Sequence, residues 1–307
     1  MAATTSIVVI LGPTASGKSA LAMQIATALG GEILTVDSMQ VYRGMDIGTA
    51  KPSAEEQKLV PHHLLVLADP SEEFTVARFV EKANRVIADA AVRGVPLVAT
   101  GGTPLYYKAL FEGLFEGPSA DSAIRARLQA LSPQELHARV KAVDPAATDR
   151  IHANDTRRLI RALEVYELTG QSISSLQTQW SGLPSRHEAT WFGLDWEKDT
   201  LNRRINARCK EMLEAGWVEE VRNLLAKPTL LSKTAGEATG YRELIRHLRG
   251  EISLVDAREQ IKIGTRQLAR RQMKWFRRFT NVQWLAGDDG TEKNAAVVLK
   301  HLGGGVG

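Results

Sequence analysis

The chain has 307 residues, 44% hydrophobic and 24% charged, with a formal net charge of +4 and one cysteine, Cys209. Those values are ordinary for a globular protein with a full core and a substantial insertion. A lone cysteine excludes an internal disulfide and a cysteine-rich zinc site, and no stretch reaches the apolar length of a membrane span. Met1-Ala-Ala-Thr-Thr-Ser6 does not read as a signal peptide, so a cytoplasmic location is expected. The charge is unevenly placed. Residues 1–116 hold nine Lys/Arg against twelve Asp/Glu, whereas residues 203–278 hold eighteen against nine. The later part of the chain therefore either binds a polyanion or carries a solvated basic surface.

In chain order, Ser6–Leu11 is an apolar run of the kind that forms a buried strand. It leads into Gly12-Pro13-Thr14-Ala15-Ser16-Gly17-Lys18-Ser19, which fits G-x-x-x-x-G-K-[ST] at every fixed position. Ala20–Leu29 then reads as a helix closed by Gly30-Gly31. Strand, glycine loop and helix in that order make a P-loop. Gly12 and Gly17 let main-chain N–H groups approach phosphate, and the helix start adds unsatisfied donors and the positive dipole end. Lys18 is placed to neutralise a terminal phosphate and Ser19 to ligate a phosphate-bound Mg²⁺.

Glu32–Val36 reads as a second buried strand ending at Asp37-Ser38-Met39-Gln40. A carboxylate at that strand end sits where open α/β sheets bind ligands. Asp37 is either a Walker-B-like residue holding Mg²⁺ through water or a general base, and an N-cap role is compatible with both. Val41–Pro52 is a glycine-punctuated loop too long for a turn. A third strand is expected over His62–Ala68, a helix over Thr75–Arg93 stopped by Gly94, and a strand over Val95–Ala99 leading into Thr100-Gly101-Gly102-Thr103-Pro104. Thr103 can offer its hydroxyl and N–H to a phosphate, or Gly-Gly-Thr-Pro is simply a turn and cap.

Residues 117–185 read as short helices broken at Gly117-Pro118, Ser132-Pro133 and Asp144-Pro145, a helical insertion. It carries Arg125, Arg127 and a capped helix with Arg157, Arg158 and Arg161 on adjoining parts of one face. Glu188–Trp196 reads as a strand returning to the sheet, and Thr200–Ala215 as an amphipathic helix with Cys209 packed inside it. In a final long helix, about Val255–Phe279, the cations Arg258, Lys262, Arg266, Arg270, Lys274 and Arg278 fall at every fourth residue. Ile261, Leu268, Trp275 and Phe279 are then expected to face the core. Unpaired like charges at that spacing cost stability, which favours a binding role for the ridge. The expected architecture is α/β, a P-loop-type parallel sheet core (1–116 and 186–307) flanked by helices, with the helical insertion at 117–185.

Several stretches together resemble the bacterial tRNA dimethylallyltransferases (tRNA isopentenyltransferases). They are Gly12–Ser19, Asp37–Pro52, Pro61-His-His-Leu-Leu65, Gly101–Tyr106, His152–Arg158, Gly240-Tyr-Arg-Glu243 and Thr265–Arg277, in family order over nearly the whole chain. Glu237 stands where the family is expected to carry a more apolar residue, and the zinc finger of eukaryotic relatives is absent. The resemblance implies transfer of a dimethylallyl group from dimethylallyl diphosphate to N6 of the adenosine 3′ of the tRNA anticodon. The P-loop would then hold the diphosphate leaving group rather than ATP, with Mg²⁺ on Ser19.

The resemblance further implies catalytic roles for Asp37, Thr103 and Arg208, the arginine on the same diphosphate. It implies anticodon stem-loop contacts from Asp37, Ser38, Met39, Gln40 and Thr103, and from Arg125, Arg157, Arg158, Leu159, Ile160 and Arg161 of the insertion. Later contacts would come from Glu237, Gly240, Tyr241 and Arg242, then from Arg270, Arg271, Gln272, Lys274, Trp275 and Arg277. A monomer is expected. The alternatives are an adenylate isopentenyltransferase acting on a free nucleotide, which would not need the insertion or the basic ridge, and a P-loop nucleotide kinase.

Overall fold

The computed structural model describes residues 5–113, 117–176 and 185–303, so the expected boundary beside Glu116 lies outside the described residues. The chain folds as two compact units, Met1–Leu110 with His187–Gly307, and Phe111–Arg186. It opens with β1 (Ile7–Leu11), α1 (Lys18–Leu29), β2 (Glu32–Thr35), α2 (Ala54–Leu59), β3 (His62–His63), α3 (Val76–Arg93), β4 (Leu97–Thr100) and α4 (Pro104–Phe111). The insertion supplies α5 (Ser122–Gln129), α6 (Pro133–Val143), α7 (Pro145–Thr148), α8 (Thr156–Thr169) and α9 (Ile173–Leu176). The chain returns as β5 (Thr190–Asp195), α10 (Lys198–Glu214), α11 (Trp217–Leu225), α12 (Lys233–Gly236), α13 (Tyr241–Leu248), α14 (Leu254–Phe276), β6 (Val282–Ala286) and α15 (Thr291–Gly303).

The strands form one all-parallel sheet in the order β3-β2-β4-β1-β5-β6. The connection leaving β1 runs to the β4–β2 side, while the one leaving β4 crosses to β5. The crevice at the C-terminal ends of β1 and β4 is therefore the switch point at which such sheets bind ligands. Val8, Ile10, Val98 and Phe192 pack with Leu21 and Ile25 of α1 and Val298 of α15 in one buried cluster. Gly30, left-handed at φ 58°, ends α1 with N–H bonds back to Ala26 and Thr27, and Gly94 ends α3 in the same manner.

Two expectations are corrected. In the run 62–68 only His62 and His63 join the sheet, because Leu64 (φ 67°) and Val66 (φ 52°) turn into the left-handed region and leave the ladder; Ala68 makes a single isolated parallel bridge with Tyr42. Conversely, β6 is an edge strand that the sequence reading does not include. Its Trp284 stands opposite Gly193 of β5, where a Cβ would lie 2.6 Å from the indole.

In the insertion, Leu128, Leu136, Val140, Leu159 and Leu163 form a separate core. Two of the expected helix breaks are caps, Ser132, which makes a capping box with Glu135 before Pro133, and Asp144; Asp121 caps the helix after Gly117-Pro118 and Asp155 the helix of Arg157 and Arg158. Glu164 is fully buried there and receives Arg125 Nε and Nη2 at 2.8 and 3.0 Å, Arg161 Nη1 at 2.6 Å and the Asp121 N–H at 2.8 Å.

At the outer end of β2, Glu32 binds both guanidinium nitrogens of Arg93 (2.6 and 2.7 Å) and His63 (2.7 Å). The Arg93 hydrogen bonds, reinforced by His63 and opposed by burial, lower the Glu32 carboxyl to about 2. A lowered carboxyl stabilises the fold fully above its unfolded-state pKa, and that stabilisation disappears as pH falls through the window from about 4.5 to about 2. Glu32→Gln is therefore expected to cost on the order of 1–2 kcal/mol at pH 7, allowing for solvent screening of the half-exposed Arg93. Urea midpoints of both proteins across pH check this; a deficit that stays constant down to pH 2 would refute the ion pair's role.

Candidate active site

The P-loop wraps the start of α1. Gly17 is left-handed (φ 89°) at the helix N-cap and has no side chain to cap it, so the first turn keeps donors for an anion. The loop is held from outside through its carbonyls: Arg204 Nε donates to Ala15 O at 2.9 Å and Trp196 Nε1 to Ser16 O at 3.0 Å, with the Arg204 guanidinium 4.4 Å over the Trp196 ring. Ala15 itself sits at φ 63°, a strained conformation that these contacts help to fix. Lys18 Nζ lies 3.3 Å from Pro13 O. Burial, and then the neighbouring charge of Arg208, lower the Lys18 ammonium to about 8, with Asp37 opposing. Arg208 is itself lowered by desolvation. Not every loop N–H is open to a phosphate, since that of Thr14 donates to Gln272 Oε1 at 2.9 Å.

Asp37 leaves the end of β2 into the same space. Its Oδ1 accepts the N–H groups of Met39 (2.8 Å) and Gln40 (3.3 Å), and its Oδ2 accepts that of Gly102 (3.2 Å). No helix starts here, so Asp37 closes a turn rather than capping a helix, and the carboxylate is aimed by three main-chain donors. Gly101 permits this approach, because a Cβ there would lie 2.0 Å from the Val36 carbonyl oxygen. Thr103 is engaged differently from the expectation. Its N–H reaches Val36 O (3.3 Å), while its hydroxyl accepts from Ser38 N–H (2.9 Å) and donates to Ser38 Oγ (3.1 Å). Here it braces the Asp37 segment rather than presenting free donors. Gln40 Nε2 is also taken, by the carbonyls of Thr49 and Ala50 at 3.0 Å each.

The Val41–Pro52 loop is anchored by Glu220 of α11. Glu220 Oε2 accepts from Asp46 N (2.8 Å) and Ile47 N (2.6 Å), and Oε1 from Gly48 N (3.2 Å) and the Tyr241 hydroxyl (2.7 Å). Nothing in the sequence distinguishes this glutamate from other helix-surface acids; only the fold does. The loop, the P-loop, Asp37, Gly101, Gly102 and Arg208 line a cavity of about 690 Å³ closed by Thr239, Tyr241, Leu268 and Gln272. A crevice of about 60 Å³ beside Arg208 is lined by Ile205, Met212, Trp217 and Leu268. Cys209 is 3% exposed beside it, and burial pushes its thiol up, as for a packing residue.

Five residues expected at an RNA surface are buried: Leu159, Ile160, Gly240, Tyr241 and Gln272. Tyr241 is held by Glu220, Gln272 is 5% exposed with both ends of its amide bonded, and Leu159 lies in the core of the insertion. Ile160 is 8% exposed in that same core. Gly240 (φ 91°) is the N-cap of α13, its N–H bonded to Glu243, which also pairs with Arg242; Glu237 is exposed at the cavity rim.

On α14, Arg258 and Lys262 pair with Glu259, Arg266 bonds Asn206, and Arg277 pairs with Asp195 at 2.6 Å and lies 4.1 Å over Trp284. Arg270, Arg271 and Lys274 are exposed and, among the described residues, have no ion-pair partner. The buried stripe is Ala257, Ile261, Ala269, Gln272 and Phe276, while Leu268, Trp275 and Phe279 are only partly covered. In the insertion, Arg157 and Arg158 are exposed, the latter 3.4 Å from Asp155.

No group of three or more His, Cys, Asp or Glu side chains suited to a metal occurs among the described residues. The Ser19 hydroxyl and Asp37 carboxylate do share the cavity. This oxygen-only pair fits Mg²⁺, which takes one or two protein oxygens and completes its shell with phosphate and water. No helix of the described residues is long and apolar enough to cross a membrane.

Residues 40–279 match the family described as IPP transferase, and residues 5–65 the one described as Isopentenyl transferase. A tRNA dimethylallyltransferase of Geobacter metallireducens is 47% identical over 285 residues, covering 92% of this chain and 92% of that protein. The crystal structure of a full-length tRNA isopentenylpyrophosphate transferase from Bacillus halodurans is similar with a TM-score of 0.74 and 37% identity, over 98% of this chain and 96% of that one. A eukaryotic dimethylallyltransferase, caught in crystallographic snapshots acting on tRNA, is similar with a TM-score of 0.83 and 26% identity, over 98% of this chain and 80% of that one.

Proposed function

This chain belongs to the IPP transferase family of tRNA dimethylallyltransferases, and we propose that it moves a dimethylallyl group from dimethylallyl diphosphate to N6 of the adenosine 3′ of a tRNA anticodon. The observation that carries this reading is one cavity holding two half-buried cations, Lys18 and Arg208, and one carboxylate, Asp37, that feel each other's charge. Cations suit a leaving diphosphate, and a carboxylate suits the proton of an attacking amine. As the allylic C–O bond breaks, Lys18, Arg208 and the open N–H groups at the start of α1 stabilise charge growing on the diphosphate oxygens. The apolar crevice beside Arg208 takes the hydrocarbon tail. The adenine N6 bonds to the allylic carbon and passes its proton to Asp37. Mg²⁺, held by Ser19 and the diphosphate itself, would supply further charge neutralisation.

The adenosine must leave the anticodon stack to enter the cavity. The RNA backbone is then met by the free cations of α14 and, on the insertion, by Arg157 and Arg158. Arg125 and Arg161 serve instead by bracing α8 through Glu164. An adenylate isopentenyltransferase would have no use for unpaired Arg270, Arg271 and Lys274. The deciding assay incubates the protein with dimethylallyl diphosphate and unmodified tRNA, then digests the RNA and weighs the nucleosides. A mass gain on AMP but not on tRNA would reverse the assignment.

The ridge makes its own prediction. Arg270→Ala, Arg271→Ala and Lys274→Ala together are expected to weaken tRNA binding and lower the slope of log K against log salt by about 0.7–0.9 per lost phosphate contact. Arg277→Ala should move the slope little and the unfolding midpoint more, because its guanidinium is engaged with Asp195 and Trp284. A triple variant with the wild-type slope would make the ridge a solvated face.

A further inference from the structure

Gln272 is the least accessible polar residue of α14, and each end of its amide reaches a different part of the active site. Its Oε1 accepts the Thr14 N–H of the P-loop at 2.9 Å, and its Nε2 donates to Gly102 O at 2.7 Å. Gly102 in turn donates its N–H to Asp37 Oδ2 at 3.2 Å. The four residues form one hydrogen-bonded line from the diphosphate loop to the candidate base. A Cβ on Gly102 would lie 2.8 Å from Gln272 Nε2 and 3.1 Å from Asp37 Oδ2, so a larger residue there would push the amide off its bond. The amide accepts at one end and donates at the other, which is what the Thr14 N–H and the Gly102 carbonyl require. The same helix carries the free cations Arg270, Arg271 and Lys274 within two residues on its exposed side.

We propose that Gln272 is a positioning residue, which fixes the P-loop and the Asp37 carboxylate relative to each other and links both to the helix that receives tRNA. This rests on the transferase reading above, in which the leaving group and the proton acceptor must act on one substrate pair at once. An error of about 1 Å between such groups costs on the order of 100-fold in rate. Gln272 lines the cavity, but both ends of its amide are engaged by the protein, so its effect is on the chemical step and on diphosphate binding, through Thr14.

Two variants test it. Gln272→Leu removes both bonds and leaves the Thr14 N–H and Gly102 carbonyl without partners. It should lower the single-turnover transfer rate about 10- to 100-fold and weaken inorganic pyrophosphate binding several-fold, with tRNA affinity within about two-fold of wild type. Gln272→Glu keeps the shape and the acceptor to Thr14 but turns a second acceptor against Gly102 O unless the carboxyl is protonated. Its rate relative to wild type should therefore rise as pH falls, a titration absent from the native profile; taking the ratio removes the ionisations of Asp37, Lys18 and Arg208 around it.

A Gln272→Leu protein with wild-type rate and pyrophosphate affinity, or a Gln272→Glu protein whose ratio is flat with pH, would overturn the proposal. If Gln272→Leu does not fold, as judged by its thermal transition, the isosteric Gln272→Glu carries the test. If wild type itself transfers nothing to tRNA, the transferase reading has failed, while the pyrophosphate titration still decides whether Gln272 sets the P-loop.

Discussion

Asp37→Asn is expected to reduce kcat by about 10²- to 10⁴-fold while both substrates still bind, because a proton acceptor contributes only in the transition state. The surroundings of Asp37 sharpen that expectation. Its two oxygens face three main-chain N–H groups, from Met39, Gln40 and Gly102. An asparagine can keep its oxygen on Met39 and Gln40 but must turn its NH₂ toward the Gly102 donor, so a local loss of fit accompanies the loss of basicity. Comparing thermal midpoints separates the two, since a displaced loop lowers the midpoint and a missing base does not. A role in holding Mg²⁺ predicts something else: the Asn variant would need more metal and would recover most of its rate in excess. Titrating Mg²⁺ against single-turnover rate decides the matter, and near-complete rescue would sink the general-base assignment.

The parts of this site legible in the sequence are those whose chemistry is local. Gly12–Ser19 is readable because its glycines, lysine and serine act within one turn between a strand and a helix. Asp37 and Gly101 are readable because they stand at strand ends. Glu220, Arg204 and Trp196 are not, and Gln272 is expected only as a tRNA contact, because each acts on a loop more than a hundred residues away and looks like an ordinary side chain where it stands.

The cation pattern on α14 misleads for a geometric reason. A step of four residues overshoots a turn by about 40°, so a ridge followed over twenty residues winds about half-way around the helix. Its early members therefore reach Glu259 and Asn206, and Arg270 and Lys274 stay in solvent. Looking for apolar residues on the inner face likewise selects Leu268 and Trp275 over Gln272, although a bonded amide is as acceptable in a core as a leucine. The edge strand β6 escapes because Val-Gln-Trp-Leu-Ala is only partly buried and lacks the continuous apolar run of β1 and β4, and its register is set by the space at Gly193.

Lys18→Ala is expected to weaken pyrophosphate binding by about 10- to 100-fold, the range for losing a charged hydrogen-bond partner, and to leave tRNA affinity within about two-fold. The separation follows from the placement of Lys18 at the cavity floor and of Arg270, Arg271 and Lys274 on an exposed helix face. The native lysine also confers a pH dependence. Burial and Arg208 hold its ammonium at about 8 against an ordinary 10.5. An arriving diphosphate brings opposite charge and raises it, so binding takes up a proton in the window above about 8. Wyman linkage then requires affinity to fall as pH rises through that window. Pyrophosphate's own ionisation contributes too, but equally to both proteins, so the ratio of wild-type to Lys18→Ala affinity isolates the lysine. That ratio should be near its full value at pH 7 and shrink toward one as pH approaches 10. A ratio constant across the range would mean that Lys18 keeps its proton regardless of the ligand, and a ratio near one throughout would remove it from the diphosphate site.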